Sequence, residues 1–74
     1  MTYRFGQGFL EAVRVRGLSA QQLAELASVS PATVSAALHG RDLQLPTAMR
    51  IARALMKAPI IPELTAWGQR LDDA

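Results

Sequence analysis

The chain has 74 residues, of which half are hydrophobic, eight are Lys or Arg, six are Asp or Glu and none is Cys. That length admits one small domain, near the lower limit at which an unaided core suffices, and the apolar content excludes disorder. The lack of Cys excludes disulfides and thiolate metal ligands. With no apolar run long enough for a signal peptide or a membrane span, the chain reads as a soluble cytoplasmic protein.

The first predicted helix covers residues 5–16. Phe5, Phe9 and Val13 recur at i, i+4 and i+8 and face the core, with Leu10 beside them, while Gly6 and Gly8 weaken the first turns. The stretch from Gly17 to Gly40 then reads as two short helices joined by a tight turn. Ser19 is the N-cap of the earlier one, whose apolar positions are Leu23, Ala24, Leu26 and Ala27. Ala24 offers only a methyl where two helices cross steeply. Val29 in the turn and Val34 beyond it supply the apolar wedge that sets the angle. Ser28, Val29 and Ser30 interrupt the helix. Ser30 caps the next one, Pro31 takes its first position, where a missing N–H costs nothing, and Val34 and Leu38 follow at i, i+4. Gly40 closes the unit in a left-handed C-cap.

Residues 41–44 are read as a loop. A fourth helix over residues 45–57 tolerates Pro46 in its first turn and turns Ala48, Ile51, Ala52 and Leu55 inward. The Pro59-Ile60-Ile61-Pro62 segment cannot continue it. A short fifth helix is expected over residues 62–72, with Leu64, Trp67 and Leu71 at i, i+3, i+7. No segment alternates in the manner of a strand, so no sheet is expected. The chain is therefore expected to be all-α, a compact five-helix bundle in which residues 1–74 form a single domain.

Charge is unevenly distributed. Residues 1–60 carry seven positive groups against three negative, a net +4, while residues 61–74 carry one against three, a net −2. A basic body suits a polyanionic partner. Catalysis finds little support: one His and six scattered acids give no acid/base pair, metal cluster or nucleophile with an orienting base. Gly6-Gln7-Gly8 has no preceding strand and is no phosphate loop. No metal and no cofactor are expected. The side chains predicted to face outward on the third helix are Pro31, Ala32, Thr33, Ala36 and His39, with Ser30 at its tip and Ser35 to one side.

These features together resemble the helix-turn-helix of the lambda-repressor-like family, which includes phage repressors, Cro proteins and many small bacterial regulators. The resemblance runs from about Leu10 to Leu55. It rests on Gly17-Leu18-Ser19, Leu23-Ala24, Val29-Ser30 and the block Ile51-Ala52-Arg53-Ala54-Leu55. The family often has Gly where this chain has Ser28. Many members also join an Arg and a Glu in a buried ion pair at positions that are Val13 and Leu38 here. An apolar pair is inferred in its place, an exchange that is often neutral or stabilising when both partners change together.

The resemblance implies DNA base contacts from Ser30, Pro31, Ala32, Thr33 and Ala36. None of these is Gln, Asn, Arg or Lys, so strong bidentate base pairing is absent, and DNA shape and water bridges gain weight. Phosphate contacts are expected from Ser19, Gln21 and Gln22 at the start of the second helix, and from Ser35, His39 and Arg41 around the third. His39 has a second reading, a favourable place at the helix C-terminal dipole. Arg50 and Arg53 are read as solvated charge, and Arg14 and Arg16 as a basic rim or as solubilising groups.

Trp67 is read as covering the open end of the bundle against Phe5 or Phe9, with a dimer contact as the alternative. The family usually dimerises near its C-terminus, which makes Ile60, Ile61, Leu64, Trp67 and Leu71 the candidate dimer contacts. The implied function is a sequence-specific, double-stranded DNA-binding regulator of phage or mobile-element type, repressor-like or Cro-like, acting as a homodimer on an inverted repeat. With no room for a sensing domain, control is expected from concentration, turnover or a protein partner. An antitoxin that binds a partner protein and autoregulates is the alternative.

Overall fold

The computed structural model describes residues 1–66. Five helices run through them: α1 (Gln7–Val15), α2 (Ala20–Ala27), α3 (Pro31–Leu38), α4 (Leu45–Lys57) and α5 (Pro62–Ala66). Two short strands, β1 (Thr2–Tyr3) and β2 (Leu43–Gln44), complete the set. Trp67 and Leu71, expected on the last helix, lie outside the described residues.

The first three helices end by one repeated device. Each closes on a residue of positive φ: Gly17 at 66°, Ser28 at 58° and Gly40 at 68°. At each closure that residue's N–H bonds three residues back and the following N–H bonds five back. The distances are 3.0 and 3.4 Å at Gly17 and Leu18, 3.3 and 3.0 Å at Ser28 and Val29, and 3.1 and 3.0 Å at Gly40 and Arg41. The paired bonds satisfy carbonyls that a helix end otherwise leaves bare.

At Gly17 an added Cβ would also stand 2.9 Å from Ile61 Cδ1, so the end of that side chain would have to shift. Ser28 carries a side chain into the same backbone region, where an L-residue is disfavoured by roughly 1–2 kcal/mol. Ser28→Gly is therefore expected to stabilise the protein by about 1 kcal/mol, after the extra freedom of glycine in the unfolded chain is discounted. A urea midpoint that does not rise would mean that the serine hydroxyl offsets the strain.

The helix starts are also local. Ser19 and Gln22 form a capping box: Ser19 Oγ accepts from Gln22 N–H at 3.1 Å, and Gln22 Oε1 accepts from Ser19 N–H at 2.9 Å. Ser30 caps α3 by accepting from Thr33 N–H at 3.2 Å, with Pro31 at the first helical position. By contrast α1 starts at Gln7 behind Gly6, which has no side chain to cap it. The helix is two residues shorter at this end than expected, as its glycines warn.

The core is built from α1, α2, α3 and α4, and its largest fully buried side chains are Leu23, Val34 and Ile51. Ala24 and Ala37 are each 1 % exposed, so α2 and α3 approach through methyl groups. Val13 is buried and Leu38 half-buried against the same cluster. Two inward assignments are corrected. On α4 it is Ala54 that is buried with Ala48, Ile51 and Leu55, while Ala52 is half-buried. On α2 the buried stripe is Leu23, Ala24 and Ala27, and Leu26 is 58 % exposed. At 3.6 residues per turn Leu26 lies about 100° from the centre of that stripe, too far to reach the core.

The expectation of no sheet fails at one place. β1 and β2 pair antiparallel, Thr2 with Gln44 and Tyr3 with Leu43, and Leu45 N–H extends the pairing to the Met1 carbonyl at 3.1 Å. Two residues per strand are too few to leave a periodic signal in sequence. Tyr3 packs edge-on to Phe5 with ring centroids 5.1 Å apart, and Phe5 stacks on Phe9 at 4.2 Å, which ties the N-terminal segment to α1.

Arg16 is neither rim nor solubiliser but a clamp. Its Nε donates to the Ala58 carbonyl at 3.0 Å and its Nη1 to the Ala12 carbonyl at 2.9 Å, which joins the end of α4 to α1. Ile61 N–H donates to the Val15 carbonyl at 2.8 Å and fastens the approach to α5 on the same helix.

Candidate nucleic-acid interface

α3 buries Val34 and Ala37 and leaves the rest of its surface to solvent in graded fashion. Pro31, Ala32, Ser35 and His39 are exposed, while Thr33 and Ala36 are half-buried at the margins of that face. Of the residues expected to touch bases, Ser30, Pro31 and Ala32 are thus the exposed ones, at the N-terminal end. Ala36 packs in part against the core. Two hydroxyls are already coupled, since Ser30 Oγ and Thr33 Oγ1 lie 2.8 Å apart in a shared hydrogen bond. One of the pair donates inward, so together they offer fewer free hydrogen-bonding positions than two independent side chains would.

His39 sits at the C-cap of α3, and its Nδ1 donates to the Ser35 carbonyl at 2.7 Å, which orients the ring. The Ser35 carbonyl thus accepts twice from His39, from its backbone N–H at 3.1 Å and from the ring, and Nε2 is left as the ring's second polar atom.

Ser19 and Gln22 are engaged in their mutual cap, yet Ser19 keeps its hydroxyl proton and Gln22 its amide protons for donation, and Gln21 is exposed. Neither α2 nor α3 has an acid in its first turn. Helix N-termini carry partial positive charge from aligned peptide dipoles, so two acid-free N-termini favour an anion nearby.

Arg41 follows α3 and is exposed. Its backbone N–H is fixed on the Ala36 carbonyl at 3.0 Å, so the side chain springs from an anchored position. Its neighbour Asp42 is held by Arg4, Nε to Oδ1 at 3.0 Å, with both side chains more than half exposed. Such a pair adds little stability, but it turns the acid's charge toward Arg4. That partner is not legible in sequence, because it depends on the unforeseen strand pairing that brings residues 2–4 beside residues 42–44.

Among the described residues no three His, Cys, Asp or Glu side chains gather to hold a metal ion, and no helix is long and apolar enough to cross a membrane. Ile60, Ile61 and Leu64, the described candidates for a dimer contact, are all exposed.

A helix-turn-helix family model matches residues 10–56 of the chain. No curated protein and no solved structure gives a significant match.

Proposed function

The chain belongs to this helix-turn-helix family, of the lambda-repressor-like type, and from that premise we propose that it is a sequence-specific regulator of transcription that binds double-stranded DNA through α3. The carrying observation is the exposed face of α3, free of acidic residues, together with the acid-free start of α2 and the anchored Arg41 that follows α3. Base contacts fall to Ser30, Pro31, Ala32, Thr33 and Ala36, and phosphate contacts to Ser19, Gln21, Gln22, Ser35, His39 and Arg41. The base-facing set is built of methyls and hydroxyls, which suit thymine methyl contacts and single hydrogen bonds. Much of the discrimination therefore falls to DNA shape and bridging water.

One such helix spans too few base pairs to locate a site, so the active species is a homodimer on an inverted repeat. Exposed Ile60, Ile61 and Leu64 supply its apolar surface. The mode of action is that of a small repressor of phage or mobile-element type, which occupies promoter DNA in the cytoplasm. Binding-site selection from random duplexes tests this. Enrichment of an inverted repeat with half-sites about one helical turn apart is the expected result; enrichment of no motif would overturn it.

Arg41→Ala checks the division of labour. It should weaken binding to all duplexes alike and lower the salt slope by about 0.9 for each phosphate that the guanidinium no longer neutralises. Relaxed preference at a single base pair would instead make Arg41 a base reader.

A further inference from the structure

α4 carries three cations, Arg50, Arg53 and Lys57, at i, i+3, i+7 on one side of the helix. They line a groove with Leu26, Ala27 and Ser28 at the C-terminal end of α2. Among the described residues none of the three has a carboxylate within ion-pair distance, the salt bridges there being Arg4–Asp42 and Arg14–Glu11. Past Leu26 and Lys57 the groove continues into an apolar one lined by Leu18, Pro59 and Ile61. Leu26 stands where the two meet, a leucine 58 % exposed in a small domain whose core has no use for it. No residue of α3 lines either groove.

We propose that this surface docks an acidic, amphipathic segment of a partner protein. Its apolar side chains would lie on Leu26 and along Leu18 and Pro59, clear of the surface given to the dimer, with its carboxylates on Arg50, Arg53 and Lys57. Charge complementarity selects this occupant. A nucleic-acid backbone would use the cations but leave Leu26 and Leu18 facing phosphate and sugar. A second copy of this chain, related by a two-fold axis through the groove, would set the three cations against themselves. An acidic segment with an apolar stripe satisfies both halves, and among the described residues no acid lines the groove to compete for its cations. The proposal uses no residue assigned to DNA contact.

The test is a titration of the full chain into a labelled synthetic helical peptide with a Leu stripe flanked by Glu. A Lys-for-Glu peptide, a Ser-for-Leu peptide and a random-sequence duplex serve as comparators. Saturable binding of the Glu/Leu peptide alone among the peptides is expected. Leu26→Ser and Arg53→Glu should each weaken it by about tenfold, in the range of a well-placed interface residue. Both positions are exposed, and an unchanged urea midpoint establishes that each variant is folded. Leu26→Ser should leave duplex affinity unchanged. Lack of saturable peptide binding, equal binding of the Ser-for-Leu peptide, or indifference to both variants would overturn the proposal. So would a duplex that loses tenfold to Arg53→Glu while the peptide does not bind, since the stripe would then be a phosphate surface. The peptide arm contains no DNA, so its failure is distinct from failure of the DNA-binding reading.

Discussion

Ala32→Glu is expected to abolish specific DNA binding while leaving the fold intact. Ala32 lies exposed in the first turn of α3, behind the Ser30 cap, and is not among the residues packed on the buried cluster. A carboxylate there would meet phosphates and base acceptors in a groove where every nearby charge is negative. Loss of more than 100-fold in affinity is the expected scale, about 3 kcal/mol, comparable to leaving a buried charge unpaired at an interface. Thr33 and Ala36 are less clean positions for the same experiment. Thr33 is bonded to Ser30, and Ala36 packs partly on the core, so a glutamate at either would perturb stability as well. A folded Ala32→Glu variant that still bound its operator would remove α3 from the groove altogether.

Leu23→Ala is expected to bring the largest loss of stability. Leu23 is fully buried where α2 meets both α3 and α4, together with Val34 and Ile51. Truncation removes the burial of its side chain and leaves a cavity that a well-packed core fills only in part, at a cost of about 2–5 kcal/mol. Domains of this size have total stabilities of roughly 4–11 kcal/mol, so the variant would sit at the edge of unfolding. In thermal melts each kcal/mol corresponds to about 4–8 °C, so the midpoint should fall by roughly 8–40 °C. A drop of only a few degrees would mean that the helices close over the gap. Loss of DNA binding in that variant would follow from unfolding and say nothing about which residues touch DNA.

The helix boundaries are legible because they are written in single residues. Ser19, Ser30 and Pro31 mark starts, Gly17 and Gly40 mark stops, and each acts through bonds within its own turn. Ser28 shows the limit of such marks, for the stop it makes is as regular as those at the two glycines, yet its residue type does not announce it. The face of α2 departs from expectation at Leu26, because a leucine near a helical stripe reads as core until the packing partners fix the phase. Ala52 and Ala54 change places on α4 for the same reason. The β1–β2 pair and the Arg4–Asp42 contact are encoded across some forty positions by two residues on each side, below any sequence periodicity. Arg16 resembles surface charge because its acceptors are backbone carbonyls, which no sequence distinguishes. On the candidate interface, sequence names the residues of α3 but not the coupling of Ser30 to Thr33 or the anchoring of His39 on Ser35.

The repeated helix closure has a consequence for the order in which the molecule assembles. Each stop is completed within six residues, so the reversals around Gly17, Ser28 and Gly40 require little loop-closure entropy and can precede most packing. The α2–α3 hairpin is accordingly expected among the earliest structures to form. Joining Thr2–Tyr3 to Leu43–Gln44 closes a far longer span of chain and is expected late, the pattern by which long-range pairing slows folding. The segment that steadies Asp42 beside Arg41 would then be the last part of the DNA-facing side to settle and the first to open, so proteolysis or hydrogen exchange should find residues 1–4 and 42–44 yielding together, ahead of α2 and α3.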